Sequence, residues 1–166
     1  MSYFENKMKL LKEIDKVYFR FGIFEEDGTR EVNYIIYDLD GNKVGNERTT
    51  LRDVMYYTEK GTISIPPYRV LERISGLMKE TISPYIKEII DKLMEDGGSI
   101  EDIRKGFEKY TDYVNMHIIP SVIDEIITEQ NRMTNLLNDS KNASVKAVYD
   151  LKSLKSFIKC KFFIEN

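Results

Sequence analysis

From Val17 onward the spacing of apolar residues changes twice, and that change limits the folds open to this chain. Val17, Phe19, Phe21 and Ile23 alternate with Tyr18, Arg20 and Gly22, a period of two that fits a half-buried strand. Glu26-Asp27-Gly28-Thr29 supplies turn chemistry, and Val32, Tyr34 and Ile36 resume the alternation. Asp40-Gly41-Asn42 then turns the chain toward a third, more polar strand over Lys43 to Glu47. From Thr50 the spacing becomes three-four and stays helical for most of the chain. Near the end Ser156, Ile158, Cys160, Phe162 and Ile164 alternate again with Phe157, Lys159, Lys161 and Phe163. A terminal strand must pair with a sheet to satisfy its backbone. The expected class is α+β: a small antiparallel sheet of three to four strands, with the C-terminal strand joining an N-terminal meander. Several helices, including a long kinked one, pack on it.

The helical pattern can be divided by its caps. Residues 1–16 read as an amphipathic helix with Phe4, Met8, Leu11 and Ile14 or Asp15 on one side. Thr50, with Asp53 three residues on, caps a second helix that would bury Leu51, Val54, Met55 and Thr58. Val70, Ile74, Leu77 and Met78 begin a long stripe that Ile82, Ile86, Ile89, Ile90 and Leu93 continue. Pro84 predicts a kink or a break near Thr81 to Ser83. Gly97-Gly98 ends the stripe, and Ser99 with Asp102 caps the next helix. That helix carries Ile103, Phe107, Tyr110, Val114 and Ile118 on one side, and Pro120 predicts a second kink or a stop. Ile123, Ile126 and Ile127 resume it. Residues 129–144 read as a polar loop, except for Met133, Leu136 and Leu137. One domain results: helix 1–16, meander 17–48, helical part 49–128, loop 129–144 and C-terminal strand 145–166.

With 166 residues the chain is long enough to bury a core, and its single cysteine, Cys160, rules out an internal disulfide or a thiolate metal cage. Cys160 falls in an apolar strand pattern, where an inert buried thiol is expected. A net charge of −3 with mixed signs leaves no basic footprint for nucleic acid and no polybasic membrane helix. No apolar run approaches a membrane span, and the N-terminal residues lack the pattern of a secretory signal.

Four features bear on chemistry. Tyr34-Ile35-Ile36-Tyr37-Asp38-Leu39-Asp40-Gly41 looks like the first motif of haloacid-dehalogenase-type phosphatases, in which Asp38 would be the nucleophile and Asp40 the general acid beside magnesium. That chemistry needs a parallel sheet with intervening helices, whereas the residues after Gly41 read as a short polar return. His117, the only histidine, would have to serve any histidine-based scheme, and it lies in a helical stretch beside an apolar stripe. Glu25-Glu26-Asp27 lacks calcium-loop spacing and reads as a solvated turn. Gly97-Gly98-Ser99 has no following Gly-Lys-Ser/Thr, so a helix cap rather than a phosphate loop is expected. Eleven tyrosines, spread over strands and helices, suit both cores and protein contacts.

Tyr56 to Ile74 is the most distinctive stretch. Gly61 follows Tyr57-Thr58-Glu59-Lys60, where a helix C-cap needs φ > 0. Gly61→Val is therefore expected to cost about 1–2 kcal/mol. Pro66 and Pro67 fit the start of the long helix. Taken locally, the stretch is a helix-loop-helix corner. Glu59-Lys60-Gly61-Thr62 followed by Ile65-Pro66-Pro67-Tyr68-Arg69-Val70-Leu71 resembles the signature of a family of tailed-phage minor virion proteins, described as neck, tail-completion or virion-morphogenesis proteins. Members carry Glu-Phe-Gly-Thr, a loop, and Ile-Pro-Ala-Arg-Pro-Phe-Leu leading into a long helix. The likeness is in order and spacing, since Lys60, Pro67, Tyr68, Arg69 and Val70 depart from it. A second echo keeps Asp150, Leu154 and Ser156 of a late motif but lacks its Thr-Gly.

The resemblance implies a non-enzymatic structural protein of the virion head–tail junction, made in the host cytoplasm. It would act as a neck or tail-completion ring component without cofactor, metal or catalytic residues. Its partners would be copies of itself and the phage connector, adaptor, tail-tube or terminator proteins, without membrane or sequence-specific nucleic acid. The arms expected to reach neighbours are the N-terminal helix, the hairpin from Asp38 to Glu47, and the loop 129–144. Residues alone reach an α+β domain with no coherent active site, an interaction protein rather than an enzyme; the alternatives to the ring component are a small phage-encoded inhibitor or binding module for a host protein and, more remotely, the phosphatase.

Overall fold

A computed structural model describes residues 2–38, 42–61, 66–139, 145–149 and 151–166. The element order is α1 (Tyr3–Ile14), β1 (Val17–Ile23), α2 (Glu25–Gly28), β2 (Glu31–Asp38), β3 (Lys43–Thr50), α3 (Leu51–Lys60), α4 (Val70–Thr81) and α5 (Ser83–Met94). It continues with α6 (Ile100–Tyr113), a π-helical turn (Val114–Ile118), α7 (Ile119–Asp139), β4 (Val145–Tyr149), α8 (Leu151–Phe157) and β5 (Ile158–Ile164). The α+β class holds, and the strands pair antiparallel. The C-terminal strand joins the N-terminal one, with Val17 opposite Ile164 and Ile23 opposite Ile158.

The meander over 17–48 is divided between two sheets. One is β1-β5 and the other has the order β3-β2-β4. The division follows from residues 24–30, which wind into a helical turn instead of a tight hairpin. The Phe24 carbonyl accepts from the backbone N–H groups of Asp27 and Gly28, both at 3.0 Å. The buried Asp27 carboxylate then meets Arg30 at 3.0 Å and Lys159 of β5 at 3.8 Å, tying this turn to the C-terminal strand. The expected strand over 145–166 is also corrected. Strand β4 and helix α8 precede β5, because Leu151 and Leu154 turn inward at helical spacing and are 3% and 0% exposed.

Most helical expectations hold. Thr50 accepts from the Asp53 N–H at 3.3 Å, and Leu51, Val54, Met55 and Thr58 are all buried. The first break in the long helical run lies at Ile82, as Pro84 predicts, with Pro84 the second residue of α5. The buried Tyr110 braces the break, its hydroxyl donating to the Met78 carbonyl at 2.9 Å. Ile103, Phe107, Tyr110, Val114 and Ile118 form a buried stripe as expected. The expectation for 129–144 is overturned in its first part, since α7 is helical to Asp139. Arg73 of α4 holds the Glu129 carboxylate in a two-pronged contact at 2.8 and 3.0 Å, which anchors the helix where its polar composition suggested a loop. That guanidinium keeps the Glu129 carboxyl below its ordinary pKa. The side chains of Met133, Leu136 and Leu137 lie outside those described, as do residues 140–144.

Pro120 neither stops nor breaks the helix. The chain widens into the π turn just before it, where the Ile119 N–H reaches back to the Val114 carbonyl. Pro120 then becomes the second residue of α7, directly after the widened turn, so the irregularity that a proline brings to a helix is taken up in the turn before it. The widened turn also places Asn115 beside β5. Its Nδ2 donates to the Cys160 carbonyl at 3.0 Å, and its Oδ1 accepts from the Cys160 N–H at 2.7 Å. One side-chain amide thus pairs with the edge of β5 opposite β1, as one residue of a third strand would. His117, in the same turn, is exposed, with its ring 5.3 Å from that of Tyr113.

Among the described residues, two apolar clusters fill the interior. The larger joins Leu51, Val54, Ile74, Tyr110, Ile123, Ile126 and Leu154 between α3, α4, α6, α7 and α8. The smaller holds Ile89, Leu93, Ile103 and Phe107 between α5 and α6, and Leu10, Leu11 and Ile14 of α1 cover it. Helices α5 and α6 approach closely at Gly106, where a Cβ would lie 2.1 Å from Ile89 Cγ1.

Candidate interaction surface

The corner after α3 is built by a carboxylate. Tyr68 is buried, and its N–H donates to the Thr58 carbonyl at 2.9 Å. Arg69 follows with φ 54° and ψ 51°, a left-handed residue that leaves α4 without a capping side chain of its own. Glu59, at the end of α3, fills that role. Its Oε2 accepts from the Leu71 N–H at 2.8 Å and its Oε1 from the Glu72 N–H at 3.3 Å. A negative charge against the first turn of a helix also complements its dipole. Gly61 caps α3 with φ 77° and ψ 170°, a region essentially reserved for glycine, which bears out the expected positive φ.

Among the signature residues, Glu59, Gly61, Arg69 and Leu71 therefore meet at one corner, where Leu71 packs against the main core. Pro66 and Pro67 do not open α4 as expected. Both are exposed, and α4 begins only at Val70. A residue that precedes proline is disfavoured in helical backbone, and the inward pull on Tyr68 delays the helix further. Thr62 and Ile65 lie outside the described residues, as does Asp150. Leu154 packs in the main core, so its role is structural, and Ser156 is exposed. Glu59→Ala is expected to lower stability by about 0.5–2 kcal/mol, the range for losing a helix cap. Denaturant unfolding measures this, and Glu59→Gln should lose less because one acceptor remains.

The second feature is α1. Ser2 and Glu5 form a capping box, with the Ser2 N–H donating to Glu5 Oε2 at 2.7 Å. The buried side was expected to run through Phe4 and Met8, but the helix is rotated away from that arrangement. Lys7 is 7% exposed and its ammonium donates to the Leu93 and Glu95 carbonyls at the end of α5. Tyr3 Oη donates to the Met94 carbonyl at 3.3 Å. An ammonium satisfying the free carbonyls of a helix end fixes the rotation. Phe4 and Met8 are left 70% and 41% exposed. Tyr3 and Met94, 59% and 49% exposed, stand beside each other.

The motif that suggested a phosphatase gains no parallel sheet. Asp38 ends β2, whose partners on both sides are antiparallel, and Asp40 lies outside the described residues. Burial pushes the Cys160 thiol up to about 12, which leaves it protonated and unreactive near neutrality. No described helix is long and apolar enough to cross a membrane. Compared with family models, curated proteins and solved structures, the chain has no match.

Sequence reasoning did not single out Lys7, Gly106 or Asn115. A lysine within an otherwise apolar helix side was the one visible signal for Lys7. Gly106 and Asn115 depend on neighbours 17 and 45 positions away, and no local pattern marks them.

Proposed function

We propose that this chain is a minor structural protein of a tailed-phage particle, acting at the head–tail junction as a ring component that docks on a connector or tail-tube partner. The supporting observation is the corner itself. The residues that carry the likeness to neck and tail-completion proteins, Glu59, Gly61 and Leu71, are those that fix α3 against α4. Their work is geometric. A ring contact joins one patch of a copy to a different patch of the next, which suits a rigid body with apolar side chains left on its surface. Phe4, Met8, Tyr56 and Met116 are such side chains, each at least 41% exposed. The protein would be made in the host cytoplasm and end in the virion, with no catalytic residue or cofactor involved.

A reconstruction of the particle tests this reading. Density for this chain in several symmetry-related copies between head and tail is the expected result. Absence from the particle, together with a one-to-one complex with a host protein, would replace it with the binding-module alternative. Magnesium-dependent phosphatase activity lost in Asp38→Asn would replace it with an enzyme.

A further inference from the structure

We propose that the open edge of β1 takes up an extended segment of another protein as a third strand of the β1-β5 sheet, and that this segment sets an acidic residue opposite Arg20. The inference goes beyond the head–tail reading and does not depend on it. It starts from Asn115. Because that side chain engages both backbone groups of Cys160, the facing pair Phe21 and Cys160 exchanges no hydrogen bonds between the strands. Farther along the same ladder the Glu165 N–H donates to the Lys16 carbonyl at 2.9 Å, so Lys16, Tyr18, Arg20 and Gly22 turn their backbone groups toward β5. The N–H and C=O groups of Phe19, Phe21 and Ile23 therefore point the other way. Among the described residues none of these groups has a partner, and the sheet ends at β1. A concavity of about 590 Å³ runs along this edge, lined among the described residues by Phe19 to Glu26 alone. A row of unpaired backbone groups beside open space is a template for strand addition.

The outer face of the strand sets the chemistry of what is added. Phe19, Phe21 and Ile23 pack toward the main core, whereas Tyr18 and Arg20 are exposed on the opposite side. The Arg20 guanidinium lies over the rings of Tyr18 and Phe163 at 5.7 and 5.4 Å, and among the described residues it meets no carboxylate. Its neighbour on β5 is Lys161, a second cation, and like charges directly opposite each other are unfavourable. Lys161 has Glu26 at 3.5 Å to offset this. For Arg20 the opposite charge can come from the open side, where a new strand places one residue directly across from it on the exposed face. The residues before and after that one fall on the core side, next to Phe19 and Phe21, and apolar side chains fit there. The segment that fits is thus apolar, acidic, apolar in alternation. A nucleic acid would meet the same cation, but it has no peptide groups to satisfy the edge, which favours a protein strand.

Amide hydrogen exchange read by NMR tests the edge first on the dilute chain alone, where Phe19 and Phe21 should exchange fast and Tyr18 and Arg20 slowly. The probe for the added strand is a capped heptapeptide of alternating valine and glutamate, set against one of alternating valine and lysine. The glutamate peptide should slow the Phe19 and Phe21 amides and leave that of Arg20 unchanged. It should bind about fivefold more tightly than the lysine peptide, which is about 1 kcal/mol for a cross-strand charge pair. Arg20→Glu, at an exposed position, should reverse that order. Slow exchange at Phe19 and Phe21 in the chain alone overturns the proposal. So does a glutamate peptide that fails to slow them, equal binding of the two peptides, or an order unchanged in Arg20→Glu. Protection that rises with protein concentration alone would give the edge to a second copy, and tighter binding of oligothymidylate would give it to nucleic acid; either result overturns the proposal.

Discussion

Asn115→Leu is expected to lower the unfolding free energy by about 2–4 kcal/mol, since leucine keeps most of the volume but leaves two partly buried backbone groups of Cys160 without partners. The loss comes from those orphaned groups, each costing about 1–3 kcal/mol, more than from the hydrogen bonds themselves. Hydrogen exchange locates the effect, because the Cys160 amide should lose protection before the amides of α7. Asn115→Asp separates the two bonds. A carboxylate still accepts from the Cys160 N–H at 2.7 Å but sets a negative charge against the Cys160 carbonyl at 3.0 Å. A protonated carboxyl can donate there and restores both contacts. The folded-state pKa of the new carboxyl is thus raised. Its stabilisation is present in full below the unfolded-state value near 3.9 and is lost as pH rises through the folded one. Asn115→Asp should therefore gain stability relative to the parent on acidification. An unchanged difference across that range would show that the amide does not pair with both groups.

The second large effect is expected at Gly106. In an exposed helix, glycine to alanine stabilises by about 1 kcal/mol. Here the added Cβ would sit 2.1 Å from Ile89 Cγ1 and 2.5 Å from Cδ1, and Ile89 is 1% exposed within the cluster of Leu93, Ile103 and Phe107. Overpacking of this kind costs about 1–3 kcal/mol and should exceed the helix gain, so Gly106→Ala is expected to be destabilising. The sign reverses when the obstacle is removed. Ile89→Ala alone should cost about 2–5 kcal/mol, and adding Gly106→Ala to it should cost nothing further or recover part of the loss. A double-mutant cycle in urea reads the coupling directly. Additive effects would mean that α5 and α6 do not meet at this point.

The two positions share a cause. Both lie where elements distant in the sequence come close, Gly106 against α5 and Asn115 against β5. Neither position has a local signature, because the glycine looks like a weak helix residue and the asparagine like a surface one. The corner after α3 differs in this respect. Gly61 was legible because a left-handed C-cap is a local demand on φ, and Thr50 because its hydroxyl serves an N–H three residues away. Glu59 was legible only through the family likeness, since its carboxylate acts across the corner on Leu71 and Glu72.

Apolar periodicity by itself determined the class, the alternating strands at the two ends, and the buried stripe from Ile103 to Ile118. Pro84 located the break at Ile82, because proline acts through its own ring and missing donor. Tertiary structure decided the rest. It divided the expected meander into two sheets because Asp27 is buried against Arg30 and Lys159. It turned Phe4 and Met8 outward because Lys7 closes the end of α5, and it carried α7 past Glu129 because Arg73 holds that carboxylate. In each case a charged group found its partner across the fold, and hydrophobic periodicity does not report where such partners lie.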